Sequence, residues 1–179
     1  MIRFLLIFCC FSLLHNDKEV ISWRETYKLS WSDFEATPKA GIDAVALTAS
    51  GITFNYSSTQ SEEKGNTYNT NVEAHFYPEK SWYKPNKATA YILSHEQLHF
   101  DIAELYARKF RQRISNNTFT KDIASELNKL YGIIDKELEQ TQNKYDSETE
   151  HSINTTMQEK WSNYVKTELK KLSKYKSAN

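Results

Sequence analysis

The stretch "HEQLH", residues 95 to 99, contains the side chains whose chemistry is easiest to name. His95 and His99 are four positions apart, and Glu96 directly follows the first histidine. On a helix, residues four apart share a face, so the two imidazoles can bind one Zn²⁺ ion while the glutamate reaches a water bound to the metal. The spacing therefore indicates a zinc site with His95 and His99 as metal ligands and Glu96 as the catalytic base.

The other explanation is that this stretch is an ordinary amphipathic helix. At about 100° per residue, both histidines fall on the apolar side of the helix, and the charged residues fall on the opposite side. We therefore expect inward-facing histidines and a solvated face on which Glu104 and Arg108 form an i,i+4 pair. Two core histidines held by hydrogen bonds would be the non-catalytic alternative, but an H-E-x-x-H string arises by chance in only about one such chain in a hundred.

A catalytic zinc site needs a third protein ligand and an open fourth position. The common third histidine, six residues after His99, is absent because Leu105 stands there. Two candidates remain: Glu137 borders the apolar stripe of a second helix, and His151 lies in the polar stretch "YDSETEHS". The spacing favours His151 without excluding Glu137. His75 opposes the apolar residues of its strand, so we expect it to be exposed.

The elements that must position these residues follow from the hydrophobic period. From Val20 to Trp82 the chain alternates, as in "ITFNY" and "YNTNVEAHF", which predicts strands. After Pro85 the period becomes helical and predicts helices over about 86–114, 121–143 and 154–173, with Thr120 as the N-cap of the second. The expected fold class is α+β: an N-terminal, mostly antiparallel sheet followed by the metal-binding helix and two further helices.

Length and charge limit the classes of function. The chain has 179 residues, which suits one domain over residues 16–179. Its 23 basic side chains balance 23 acidic ones, so we expect no nucleic-acid partner. The sequence leaves the oligomeric state open.

The first fifteen residues have the composition of a secretory signal peptide. Arg3 precedes an apolar run from Phe4 to Leu14, and a polar break follows. The run is too short for a stable membrane span in the mature chain, so an exported protein is expected, whether periplasmic, secreted or in the cell envelope. A lipid anchor through Cys9 or Cys10 is a minor alternative.

Several separated strings resemble one known family. "HEQLHFDIAELYARK", "LSWSDF", "KSW", "YDSETEH" and the later pair Gln158 and Trp161 resemble the bacterial exported family called domain of unknown function 922, described as predicted zinc-dependent proteases of the zincin type. The family string Y-D-x-x-T-x-H maps onto Tyr145, Asp146, Thr149 and His151, which favours His151 as the third ligand. Leu98 and Ser152 differ from the family pattern, which often has glycine at both places.

The resemblance and the motif together imply an exported zinc metalloprotease acting on a peptide or protein substrate. Glu96 would accept a proton from the zinc-bound water and return it to the leaving amine. Tyr145 is the candidate donor to the developing oxyanion. Asp146 is a candidate acceptor for the free N–H of a ligating histidine.

Two alternative functions remain open at this point. The chain could be a non-catalytic metal-binding or scaffold protein of the envelope, or a zinc hydrolase of another amide bond, such as one in the cell wall. For a peptide substrate, we expect the strand from Val72 to Tyr77 to offer a free edge, because Pro78 closes it and suits an edge position.

Overall fold

The computed structural model describes residues 20–61, 65–120 and 122–177. The predicted signal peptide, with Cys9 and Cys10, lies outside the described residues. Within them the fold is α+β, as the sequence predicts: antiparallel sheets come first, and three helices follow. The strands are β1 (Ile21–Ser22), β2 (Ala46–Leu47), β3 (Ser50–Ser61), β4 (Gly65–Phe76) and β5 (Trp82–Tyr83); the helices are α1 (Ala90–Ser115), α2 (Ile123–Thr149) and α3 (Thr155–Lys171).

The main sheet is a long hairpin with a short third strand. β3 and β4 pair antiparallel along twelve residues each, and β1 adds to the other side of β4. The alternating residues Ile52, Val72 and Ala74 are buried and pack into the core, as their period predicts. A second, two-stranded sheet joins β2 to β5.

The pairing of β4 corrects two predictions. Because Ser22 pairs with His75 on one side and Gly51 pairs with it on the other, the segment from Val72 to Tyr77 is central at this point and offers no free edge there. A substrate strand along it is therefore excluded. His75 is also not exposed: its side chain is buried, with Nε2 2.7 Å from the Thr53 hydroxyl.

Helix α1 runs through the centre of the molecule. Thr89 caps its start by accepting the Ile92 amide N–H at 3.2 Å. The helix packs against the hairpin, α2 and α3, so it is buried on more than its apolar stripe. Glu104 and Arg108 do form the predicted i,i+4 pair, at 2.8 Å, but both are buried. The expected solvated face is thus wrong at this position.

Helix α2 differs from the expected one at both ends. Its N-cap is Asp122 rather than Thr120, whose hydroxyl instead accepts the Asp122 amide N–H at 3.2 Å. The helix continues to Thr149, well past the predicted end near residue 143. Asp146 consequently lies on its last turns and not in a connection. None of the helices in the described part of the chain has the length and apolar composition that crossing a membrane requires.

Candidate metal centre

Helix α1 directs both histidines of the motif to the same point. His95 and His99 are buried, and their Nε2 atoms lie 3.3 Å apart. One helical turn separates them, which is why their rings meet in this way.

A carboxylate on the last turns of α2 completes the cluster. The Asp146 Oδ1 atom lies 3.2 Å from His95 Nε2 and 2.9 Å from His99 Nε2. Ligand atoms around a tetrahedral zinc ion, with bonds of about 2.0–2.1 Å, are about 3.3 Å from each other. The spacing of the three atoms fits such an ion closely, so His95, His99 and Asp146 could hold a metal ion.

Two glutamines set which nitrogen of each imidazole faces the cluster. The Oε1 atom of Gln158 lies 2.9 Å from His95 Nδ1, and the Oε1 atom of Gln142 contacts His99 Nδ1. The Gln142 side-chain amide also donates to the His99 carbonyl at 2.9 Å, which fixes its orientation. Because an amide oxygen can only accept, each Nδ1 carries a proton, so each Nε2 faces Asp146 and either donates to it when the ring is protonated or could bind a metal ion when the ring is neutral.

The electrostatics of the cluster favour a cation. Burial raises the pKa of Asp146, but hydrogen bonds from His95 and His99 outweigh that effect and hold the pKa well below its usual range. Burial lowers the pKa of His99, whereas its hydrogen bond to Asp146 and the charges of Asp146 and Glu96 raise it, and the net shift is upward. Positive charge is therefore stabilised where the three ligand atoms meet.

Glu96 lies beside the cluster as the motif predicts. Its side chain is buried and lines the same cavity as His95, His99 and Asp146. Within the described part of the chain, no hydrogen bond or ion pair holds the Glu96 carboxylate. Since Glu96 lines the cavity, its carboxylate is available to contact a ligand there, and its role as a base stays a prediction.

The cluster opens into a cavity of ≈ 880 Å³. One wall is the segment 42–48, which contains β2, and the start of α1 forms another. Residues 150–153, directly after α2, form its rim. The cavity is large enough for several residues of an extended peptide.

Comparison with known proteins agrees with the resemblance described above. The family model described as "Bacterial protein of unknown function (DUF922)" matches residues 25–152, which is well over half of the chain. The chain belongs to this family. No curated protein and no solved structure matches it.

Tyr145, which lies inside the DUF922 match, is placed behind His95. Its ring stacks on the His95 ring with centroids 4.5 Å apart, and its hydroxyl donates to Gln158 Oε1 at 2.7 Å and to the His95 carbonyl at 3.2 Å. Burial raises the pKa of Tyr145, so the hydroxyl keeps its proton. In this arrangement it positions His95, and its role as oxyanion donor stays a prediction.

The two predicted third ligands have different surroundings. Glu137 accepts two hydrogen bonds from Arg113, at 2.7 and 3.0 Å, so its carboxylate is paired away from the cluster. His151 is near the cluster but open to solvent: its Nδ1 is 3.8 Å from Asp146 Oδ1, and its side chain is 73% exposed. His151 as third ligand also stays a prediction.

Sequence reasoning missed Gln142 and gave Gln158 no role, and it assigned Asp146 to a supporting position. The signal for Asp146 and Gln142 was present in the helical period, since these two residues are four apart and share one face of α2. Recognising it required knowing that α2 continues to Thr149.

The rim of the cavity has an unusual backbone. Glu150, His151 and Ser152 have φ values of 50°, 51° and 76°, so three consecutive residues with side chains adopt the left-handed conformation. This costs about 1–2 kcal/mol per residue. Glycine, which has no Cβ, adopts this conformation without strain.

Replacing Ser152 with glycine is therefore expected to stabilise the fold. Relief of strain exceeds the extra entropy that glycine gives the unfolded chain, and the net gain in the free energy of unfolding should be about 0.5–1 kcal/mol. Urea unfolding would measure it. The matched control is Ser147→Gly in helical conformation on α2, which should cost about 0.5–1 kcal/mol. A destabilised Ser152→Gly protein would contradict the strain argument.

Proposed function

We propose that this protein is an exported zinc-dependent metalloprotease that hydrolyses peptide bonds. The observation that supports it best is the meeting of His95, His99 and Asp146 beside the free carboxylate of Glu96, in one cavity. Export is inferred from the signal-like residues 1–15.

The donor set favours zinc among the common metals. Two imidazole nitrogens and one carboxylate oxygen suit a catalytic zinc site, whereas calcium and magnesium prefer oxygen ligands alone. A zinc ion at this position would supply Lewis-acid activation of water and of the substrate carbonyl. Among the described residues, three ligand atoms lie this close together, which leaves a position for substrate.

The chain's own residues supply the proton transfers. Glu96 accepts a proton as the oxygen of water bonds to the carbonyl carbon of the peptide. It then donates that proton to the amide nitrogen as the C–N bond breaks, so that the products are a carboxylic acid and an amine. Gln158 and Gln142 keep the two histidines oriented throughout, through their Nδ1 atoms.

A free strand edge beside the cavity favours a peptide over other amides. In the described residues, β2 (Ala46–Leu47) pairs with β5 on one side only, and both of its residues line the cavity. An extended peptide can add to such an edge through main-chain hydrogen bonds, which an isolated amide group cannot do. We propose β2 in place of the excluded β4 edge.

The metal assignment is tested by zinc content. The purified protein should bind about one zinc per chain, and His95→Ala, His99→Ala and Asp146→Ala should each lower the affinity by at least about 10–100-fold, because each removes a donor atom. Glu137→Ala is the control and should leave the affinity unchanged. Mass spectrometry and a competitive chelator titration would measure both quantities.

The same chelator titration decides whether His151 or Asp146 is the third metal ligand. If Asp146→Ala keeps its zinc and His151→Ala loses it, His151 is the third ligand. If both lose it, the site has four protein ligands and is closed, which favours the scaffold alternative over an enzyme. A zinc-loaded protein that cleaves no member of a broad peptide library would contradict the protease proposal itself.

A further inference from the structure

The exposed surface of the cavity walls is mostly apolar, and four of their large apolar side chains are exposed. Ten large apolar residues are exposed in the described part of the chain, and four of them line this one cavity. Such a concentration beside a polar centre is typical of a binding site and not of a random surface. The four residues are Ile42, Leu47, Tyr91 and Ile153.

These four side chains surround the metal cluster on different elements. Ile42 and Leu47 come from the segment that contains β2, and Tyr91 comes from the first turn of α1. Ile153 follows the strained rim and is 76% exposed, which is extreme for an isoleucine. Within the described residues nothing covers it, so a ligand in the cavity would bury apolar surface on more than one side.

The charges of the same lining are all acidic apart from the histidines. Asp43 and Glu150 lie in the lining and are exposed, whereas the described residues that line the cavity include no lysine or arginine; Lys84, beside this lining, donates to the Ile42 carbonyl. A divalent ion would offset the charges of Glu96 and Asp146, and the carboxylates of Asp43 and Glu150 would remain as the acidic groups of the lining. Like charges in a bound ligand would be repelled, whereas neutral or basic groups would not.

We propose that the cavity selects extended peptides with a large apolar side chain next to the bond to be cleaved, and that it disfavours peptides with an acidic side chain there. This inference rests on the proposed protease function. The strand edge of β2 would align the peptide main chain, the apolar wall would contact the side chain, and Asp43 with Glu150 would exclude acidic residues.

Equilibrium binding tests this preference without turnover. The zinc-loaded Glu96→Gln protein would be titrated with four dye-labelled hexapeptides that differ only in a central leucine, alanine, lysine or glutamate, and fluorescence anisotropy would give each Kd. We expect the leucine peptide to bind at least about tenfold more tightly than the alanine peptide, because burying a leucine side chain contributes at least this much. The glutamate peptide should bind most weakly.

Two further variants and one control test which residues of the cavity cause the peptide preference. Ile153→Asp should weaken binding of the leucine peptide about fivefold or more. Ile133→Asp should not change it, because Ile133 is also exposed, at 46%, but lies on α2 outside the cavity. Glu150→Gln should improve binding of the glutamate peptide severalfold and leave the leucine peptide unchanged.

The outcomes separate this inference from the proposed function. Equal binding of all four peptides, or binding of none, would overturn the specificity. If wild-type protein cleaves library peptides without preferring apolar neighbours, the specificity fails and the protease proposal stands. If the leucine peptide binds selectively but zinc-loaded wild-type protein never cleaves it, the protease proposal fails and the binding preference stands.

Discussion

Replacing Glu96 with glutamine is expected to lower the rate of peptide hydrolysis by about 10²–10⁴-fold, because a neutral amide cannot accept the proton of the attacking water. Zinc content should stay at about one ion per chain, since the ligand atoms that we propose belong to His95, His99 and Asp146. The fold should also be kept, because no hydrogen bond or ion pair in the described residues depends on the Glu96 carboxylate. The substitution should therefore change the rate of hydrolysis without changing zinc content or stability.

Three measurements on one preparation test this. They are the rate on a peptide taken from the library digest, the zinc content by mass spectrometry, and the midpoint of urea unfolding. Glu137→Gln removes the same charge at a half-exposed position outside the cavity and serves as the control. A Glu96→Gln protein that retains the wild-type rate would remove the general-base role, and one that loses zinc would make Glu96 a ligand.

The sequence predicts the α+β fold correctly for a physical reason. Strand and helix periods differ, so the change after Pro85 separates sheet from helices without further information. The helical period also places both motif histidines on the inward side of α1, where the structure has them. These predictions depend only on local periodicity.

The third member of the cluster could not be predicted in the same way. Asn143, Asp146 and Ser147 are weak helix formers, so propensity alone ends α2 near residue 143. In the structure α2 continues because tertiary contacts hold it: Tyr145 stacks on His95, and the Trp161 indole N–H of α3 donates to Glu148 at 2.8 Å. Tertiary packing therefore overrides local preference, and it is this packing that brings Asp146 to the histidines.

The polar side of α1 shows a second limit of periodicity. A charged face on an isolated helix predicts exposure to water, but Glu104 here is 1% exposed. Its carboxylate accepts hydrogen bonds from Arg108 and Arg111, and these two arginines also donate to backbone carbonyls of Leu169 and Val72. The Glu104 carboxylate thus pairs with both arginines, and the arginines join α1 to α3 and β4. The Glu104 carboxylate can be buried because these partners, which are close to it in the folded structure, satisfy its charge and hydrogen bonds.

Replacing Glu104 with glutamine is accordingly expected to lower the free energy of unfolding by about 3–5 kcal/mol. The substitution keeps the side-chain volume but leaves the largely buried charges of Arg108 and Arg111 without a counter-charge, which is the costly way to break a buried ion pair. Had the pair been on a solvated helix face, as the sequence alone predicts, the loss would be only about 0.3–0.5 kcal/mol. Urea unfolding at neutral pH distinguishes these values.

Glu137→Gln provides the matched control, because it also removes a glutamate that pairs with an arginine of α1. The side chains of Glu137 and Arg113 are 36% and 35% exposed, so water can solvate Arg113 after the change, and the loss should be below about 1 kcal/mol. If the two glutamine variants were equally stable, burial would not determine the strength of these pairs. The Glu104 network would then not hold α1 against its neighbours, and the position of His95 and His99 would depend on apolar packing alone.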